Sequence, residues 1–307
     1  MRINNYEVEN ISAKNNFYNN YTIKLAKGTR KILFSNLFLL FIVCLIILST
    51  MFSIYYGAIY YGQSIFDAEY WSIGVILMTS ITFVVAISGI LGDLMMDRAS
   101  RLALPFYIMY IVLYGSQCYF LALYYEMLQQ MMVLILVIIS LFRWGRKTSK
   151  EEDIKIKFLN KLDFLLLLIG LIVTTILLGS IMEWVINPLI KNASIYDKDG
   201  SLNYNLTPWW ALRGTDPYPF LDAYVLIMFI GAWILFTKRY QNAFWVMFAC
   251  IVGYFFVYGL MSFKQGISTY IVYFITNFVY LFLNQTGMSN WNIMYLEQEE
   301  KVKIKVY

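Results

Sequence analysis

Stretches of about 20 apolar residues recur from Lys31 to Gln285, each long enough to cross a hydrocarbon core about 30 Å thick. This feature constrains the fold more than any other. Backbone polar groups in lipid must be satisfied internally, so a span is a helix or part of a closed barrel. A barrel would alternate polar and apolar residues in segments of about 10, and no such segments occur. The composition agrees, at 60% hydrophobic, 14% charged and a mean hydropathy of +0.60, where an ordinary soluble domain is about a quarter charged. The chain reads as an all-α polytopic protein of the cell membrane with about eight transmembrane helices.

The order of segments follows from the apolar runs. Residues 1–30 are polar, Asn-rich and read as a loose cytoplasmic tail. The first span, 31–62, is too long for a signal-peptide core and is read as retained. Seven further spans are expected near 71–93, 103–123, 127–144, 163–185, 219–237, 243–262 and 266–284. A basic linker occupies 145–162, a polar external loop 187–218 and a cytoplasmic tail 286–307. With the N-terminus inside, 20 of the 24 Lys and Arg residues fall on the cytoplasmic side, which also puts the C-terminus inside.

A shift of 140 residues lays the 103–144 hairpin on 243–284 and Tyr114 on Tyr254. The spans then read as one, three, one, three. Three spans reverse sidedness and the single connecting span, 163–186, restores it. The two triplets, 70–144 and 219–285, therefore run in the same direction, a parallel repeat of the SWEET-like kind.

Polar side chains within spans point to function, since each is costly in lipid and normally faces a cavity or a partner helix. Three-four spacing puts Glu126, Gln130, Val133, Val137, Ser140 and Trp144 on one helical face. Tyr270, Tyr273, Asn277, Tyr280 and Asn284 form the corresponding stripe in the second half. Tyr110, Tyr114 and Gln117 share a face on the preceding span, with Trp245, Tyr254 and Tyr258 as the aromatic candidates opposite. Aromatic faces stack on flat rings and amides offer paired donors and acceptors, which suits a planar heterocycle, uncharged or weakly cationic, bearing an amide or a sugar. The same side chains also serve as interhelical contacts and interfacial anchors. Asp93, Glu183 and Asp222 lie at span ends and read as solvated.

Several function classes are excluded or weakened. The chain has no histidine, the commonest general acid or base near neutral pH. Cys44, Cys118 and Cys250 are far apart inside apolar stretches, with neither metal nor disulfide spacing. No G-x-x-x-x-G-K-[ST] loop exists for ATP hydrolysis. The net charge of +5 follows the membrane rather than a nucleic-acid surface. Neither a metal, a cofactor nor catalytic residues are expected.

Pro105, Tyr114, Tyr119, "LYYEMLQQ" with Glu126 and Gln130, and Trp144 in the first half, with "PFLDA" (219–223) and "TKRYQNAFW" (237–245) in the second, resemble the PnuC family of vitamin transporters. The resemblance covers about residues 75 to 285. The nicotinamide riboside members carry W-x-x-W-x-x-x-N in the seventh span, whereas Asn242 and Val252 break that pattern around Trp245. The resemblance implies facilitated diffusion of a vitamin or nucleoside-like precursor, nicotinamide riboside first, with thiamine or riboflavin as the alternatives inside the family. A substrate-binding subunit of an ATP-driven uptake system is the alternative outside it. The expected substrate contacts are Gln130, Asn277, Trp245, Tyr114, Gln117, Tyr110, Tyr254, Tyr270, Tyr273 and Glu126. The expected partners are a small-molecule vitamin and the lipid bilayer, with a homo-oligomer left open.

Overall fold

The computed structural model describes residues 36–60, 65, 73–120, 124–145, 156–188, 218–264 and 270–306. The expected N-terminal tail, residues 146–155 of the linker and residues 189–217 of the external loop lie outside the described residues. The described elements are helices: α1 (Asn36–Tyr60), α2 (Ile73–Met96), α3 (Ala103–Phe120), α4 (Tyr124–Gly145), α5 (Lys161–Ile181), α6 (Pro219–Thr237), α7 (Ala243–Gly259) and α8 (Tyr270–Val306). Wider π turns extend α5 over Met182–Ile186 and α7 over Leu260–Lys264.

Local chemistry sets the ends. Asn160 caps α5 by accepting from the Asp163 amide at 2.7 Å. Pro219 opens α6, where its missing N–H costs nothing. The α2–α3 and α6–α7 turns share one hydrogen-bond pattern. Ala99 N donates to Met96 O and Ser100 N to Met95 O, while Arg239 N donates to Phe236 O and Tyr240 N to Leu235 O. Both are helix-ending turns in which a left-handed residue satisfies the last carbonyls. Those residues, Ala99 at φ 50° and Arg239 at φ 63°, are the positive-φ non-glycine positions of the described chain, and they lie 140 residues apart.

Six helices pack in a closed ring. Neighbours in order are α2, α3, α4, α6, α7 and α8, and α8 returns to α2. The α4–α6 junction holds a Ser140–Thr237 hydroxyl contact at 2.8 Å. At the α8–α2 junction, Thr286 donates to Asp97 at 2.8 Å and the Trp291 indole donates to Met96 O at 2.8 Å. The remaining two helices lie outside, α1 against α2 and α8, and α5 against α6. Burial sorts them: 67% of the apolar window of α6 is buried, against 11% for α5, which shows most of its surface to lipid.

The protein is a polytopic helical membrane protein. Six described helices are long and apolar enough to span, and α3 and α8 are not among them. Both carry polar stripes, with Tyr107, Tyr110, Tyr114 and Gln117 on α3 and Tyr270, Tyr273, Asn277, Tyr280 and Asn284 on the first half of α8. Inside a ring these groups meet one another rather than lipid, so they are tolerated.

The C-terminal stretch is helical and partly packed. The apolar run ends at Gln285, but α8 continues to Val306 through the stretch read as a tail. Trp291 in that extension is fully buried and packs edge-on against Phe244 at 5.2 Å. The strap before α5 docks at the same end. Lys157 N donates to Arg239 O at 2.9 Å and Ile156 N to Gln298 Oε1 at 3.0 Å. The apolar run stops at Gln285, whereas helix and packing go on.

Candidate functional site

A cavity of about 60 Å³ lies inside the ring, with walls from α2, α3, α6, α7 and α8. Its depth follows from helix rise: Tyr110 sits about 10 Å along α3 from the turn end and Asn277 about 10 Å along α8 from the opposite end. The site is therefore near mid-bundle. Its volume holds about two waters, while sites for drug-sized molecules span about 300–1,000 Å³. The space is smaller than such a ligand, so admitting one requires the walls to part.

The walls are mainly aromatic. Tyr254 and Tyr258 stack at 4.9 Å with their planes 19° apart, and Phe229 meets Tyr254 edge-on at 6.1 Å. From α3, Tyr110 stacks on Tyr114 at 5.7 Å. The helix backbone comes close at Gly89, where an added Cβ would collide with the Tyr280 hydroxyl and reach Tyr110 at 3.0 Å. Polar groups are few. Asn277 donates to Ile251 O on α7 at 2.9 Å. Tyr107 donates from its hydroxyl to Asp93, the one acid among the described lining residues.

Next to the cavity is a layer of paired polar and aromatic groups. Gln117 donates to Thr82 at 2.7 Å and accepts from the Tyr273 hydroxyl. Tyr273 meets Tyr114 edge-on at 5.2 Å and Tyr270 at 5.6 Å. Beyond Tyr254 a second, smaller space is lined by Glu126, Gln129 and Asp222, and Tyr254 borders both. Gln129 donates to the Tyr254 hydroxyl at 2.6 Å. One side chain thus separates two spaces stacked along the ring, its hydroxyl held from the far wall.

The expected residues are distributed unevenly. Tyr110, Tyr254 and Asn277 line the cavity. Tyr114, Gln117, Tyr270 and Tyr273 form the adjoining layer, and Glu126 borders the smaller space. Two candidates are not brought to it. Trp245 is 51% exposed on the outer surface of α7. It stands only two residues from the α7 N-terminus, and Met247 and Ile251 face the cavity instead. Gln130 is buried, but against Gly115 on the outer side of α3–α4, and it borders a lateral groove of about 370 Å³. Neither atom of its amide has a hydrogen bond. The glutamine that faces inward is its neighbour Gln129, one position round the helix. Asp93, read as solvated, lies within the bundle. Its signal was periodicity: Gly89 and Asp93 are four apart, so they share one face of α2.

Residues 79–293 match the model of a family described as nicotinamide mononucleotide transporter. The chain belongs to this family. The match reaches all six helices of the ring and leaves α1 outside. The family is one of membrane transporters, not of enzymes. The crystal structure of the vitamin B3 transporter PnuC is similar in fold, with 18% sequence identity and a TM-score of 0.50 over 81% of this chain and 90% of that chain. No curated protein matches the chain.

Proposed function

We propose that this transporter carries a nicotinamide-bearing nucleoside, nicotinamide riboside first, by facilitated diffusion through the six-helix ring. The observation that carries this reading is the mid-bundle cavity of stacked tyrosines with Asn277 and Asp93 at its wall. Flat faces suit the pyridine ring, and the amide and carboxylate suit its carboxamide and ribose hydroxyls. A mononucleotide fits less well. No Lys or Arg is among the described lining residues, and a phosphate beside Asp93 would be repelled.

Alternating access follows from two parallel triplets, α2–α4 and α6–α8, rocking about this site. Two observations support the repeat: matching turns at Ala99 and Arg239, and a ring order that puts α2 opposite α6, α3 opposite α7 and α4 opposite α8. The placement of Lys and Arg supports cytoplasmic termini. Thiamine or riboflavin is the second reading, since Asn242 and Val252 break the tryptophan pattern that the resemblance implies for a nicotinamide riboside carrier.

Reconstitution tests the proposal. Liposomes containing only this protein should accumulate labelled riboside toward equilibrium without ATP and with a protonophore, and should exclude the mononucleotide. Uptake that requires ATP or a proton gradient overturns facilitated diffusion. Single cysteines at Lys150 and Lys198, in a background lacking native cysteines, should label from the cytoplasmic and external sides respectively. Labelling from one side removes the parallel repeat.

A further inference from the structure

We infer that Asp93 is the charge-selecting residue of the site, the counter-ion for a delocalised cationic ring held between the tyrosines. The inference rests on the transport reading above and adds to it the ligand's charge and the residue that reads it.

A carboxylate inside a ring of helices is costly unless something balances it. Tyr107 supplies one hydrogen bond, and its position is set firmly. The Tyr107 ring meets Trp233 edge-on at 4.8 Å and lies 3.2 Å from where a Cβ on Gly92 would stand. Any larger residue at position 92 would push the donor away. A hydroxyl supplies no charge, however, and no Lys or Arg is among the described residues lining the cavity. In the empty site a proton balances the carboxylate, and a cationic ligand takes over that role when it binds. The other walls include Tyr110 and the stacked Tyr254–Tyr258 pair. Aromatic faces attract cations, most strongly where water is excluded. A carboxylate at one wall and aromatic faces at the others form a receptor for a flat cation whose charge is spread over a ring, such as an N-alkylated pyridinium. A flat cation offers these walls both its charge and a stacking area, where a compact ammonium offers only charge and a neutral ring only area.

The ligand pair that isolates charge is nicotinamide riboside and its reduced dihydropyridine form, which keeps the sugar and carboxamide but is neutral. Binding of both to purified wild-type protein and to Asp93→Asn is measured by calorimetry, with thermal stability alongside. The asparagine side chain keeps the size of the aspartate and still accepts from Tyr107. Wild type is expected to prefer the cationic form at least tenfold, about 1.4 kcal/mol. Asp93→Asn is expected to lose that preference by weakening the cationic form alone, with its melting temperature near the wild-type value. Equal binding of the two forms by wild type overturns the inference, and needs no variant to do so. A preference that survives in Asp93→Asn overturns it as well. Thiamine and N-methylpyridinium complete the panel. If the folded wild type binds either of these but neither riboside form, and Asp93→Asn abolishes that binding, the riboside reading falls and the role of Asp93 stands. If it binds no cation at all, both fall.

Discussion

Gly89 is the position where one methyl group separates a binding role for the cavity from a packing role. A Cβ there would overlap the Tyr280 hydroxyl and come within 3.0 Å of the Tyr110 ring. The Tyr280 hydroxyl is buried without a hydrogen bond, so nothing anchors it, and the free volume beside it is the cavity of about 60 Å³. Gly89→Ala is therefore expected to push Tyr280 into the cavity rather than force α2 and α8 apart. Overpacking costs about 1–3 kcal/mol, partly offset by the gain of about 1 kcal/mol for alanine over glycine inside a helix. Net stability should change by no more than about 2 kcal/mol. A ligand must displace the intruding ring, so the same 1–3 kcal/mol appears as a dissociation constant raised roughly 5- to 150-fold. The assay is calorimetric titration with nicotinamide riboside, paired with thermal unfolding and initial-rate uptake. Gly170→Ala on α5 is the control: nothing lies within 4 Å of its added methyl, so affinity should be unchanged. Folded Gly89→Ala protein with wild-type affinity and uptake would refute the reasoning and remove the cavity from the transport path.

Other expectations separate the neighbouring polar groups. Asn277→Ala should raise the dissociation constant about tenfold, since it removes a polar group from a dry site. Gln130→Ala should leave affinity unchanged and stability equal or higher, because it removes a buried amide that has no hydrogen bond; titration and melting curves check both. Trp291→Ala should lower stability by about 3–5 kcal/mol, as for a large core aromatic, read as a large fall in melting temperature. Truncation after Gln285 should be at least as damaging, whereas a dispensable tail would melt like wild type.

The sequence alone determined the class of fold, and the reason is energetic. Each apolar run must lie in lipid and satisfy its own backbone, so helices follow with little freedom, and the limits expected for the 219–237 span are those of α6. It also made the buried face of α4 legible. Glu126, Gln130, Val133, Val137, Ser140 and Trp144 are all buried, because three-four periodicity marks the side turned from lipid. Periodicity cannot say which neighbour that side meets. Gln129 and Gln130 are both buried, yet one reaches Tyr254 across the ring while the other faces Gly115. Trp245 carries a functional side-chain type but points outward, because it lies about 200° round α7 from Met247, which faces the cavity. Asp93 resembled a solvated span end, because distance along one helix does not reveal that α3 brings Tyr107 over it. The tertiary structure decided these choices: lipid acts on each helix separately, whereas a site is made by several helices whose relative rotations are fixed only when the ring closes.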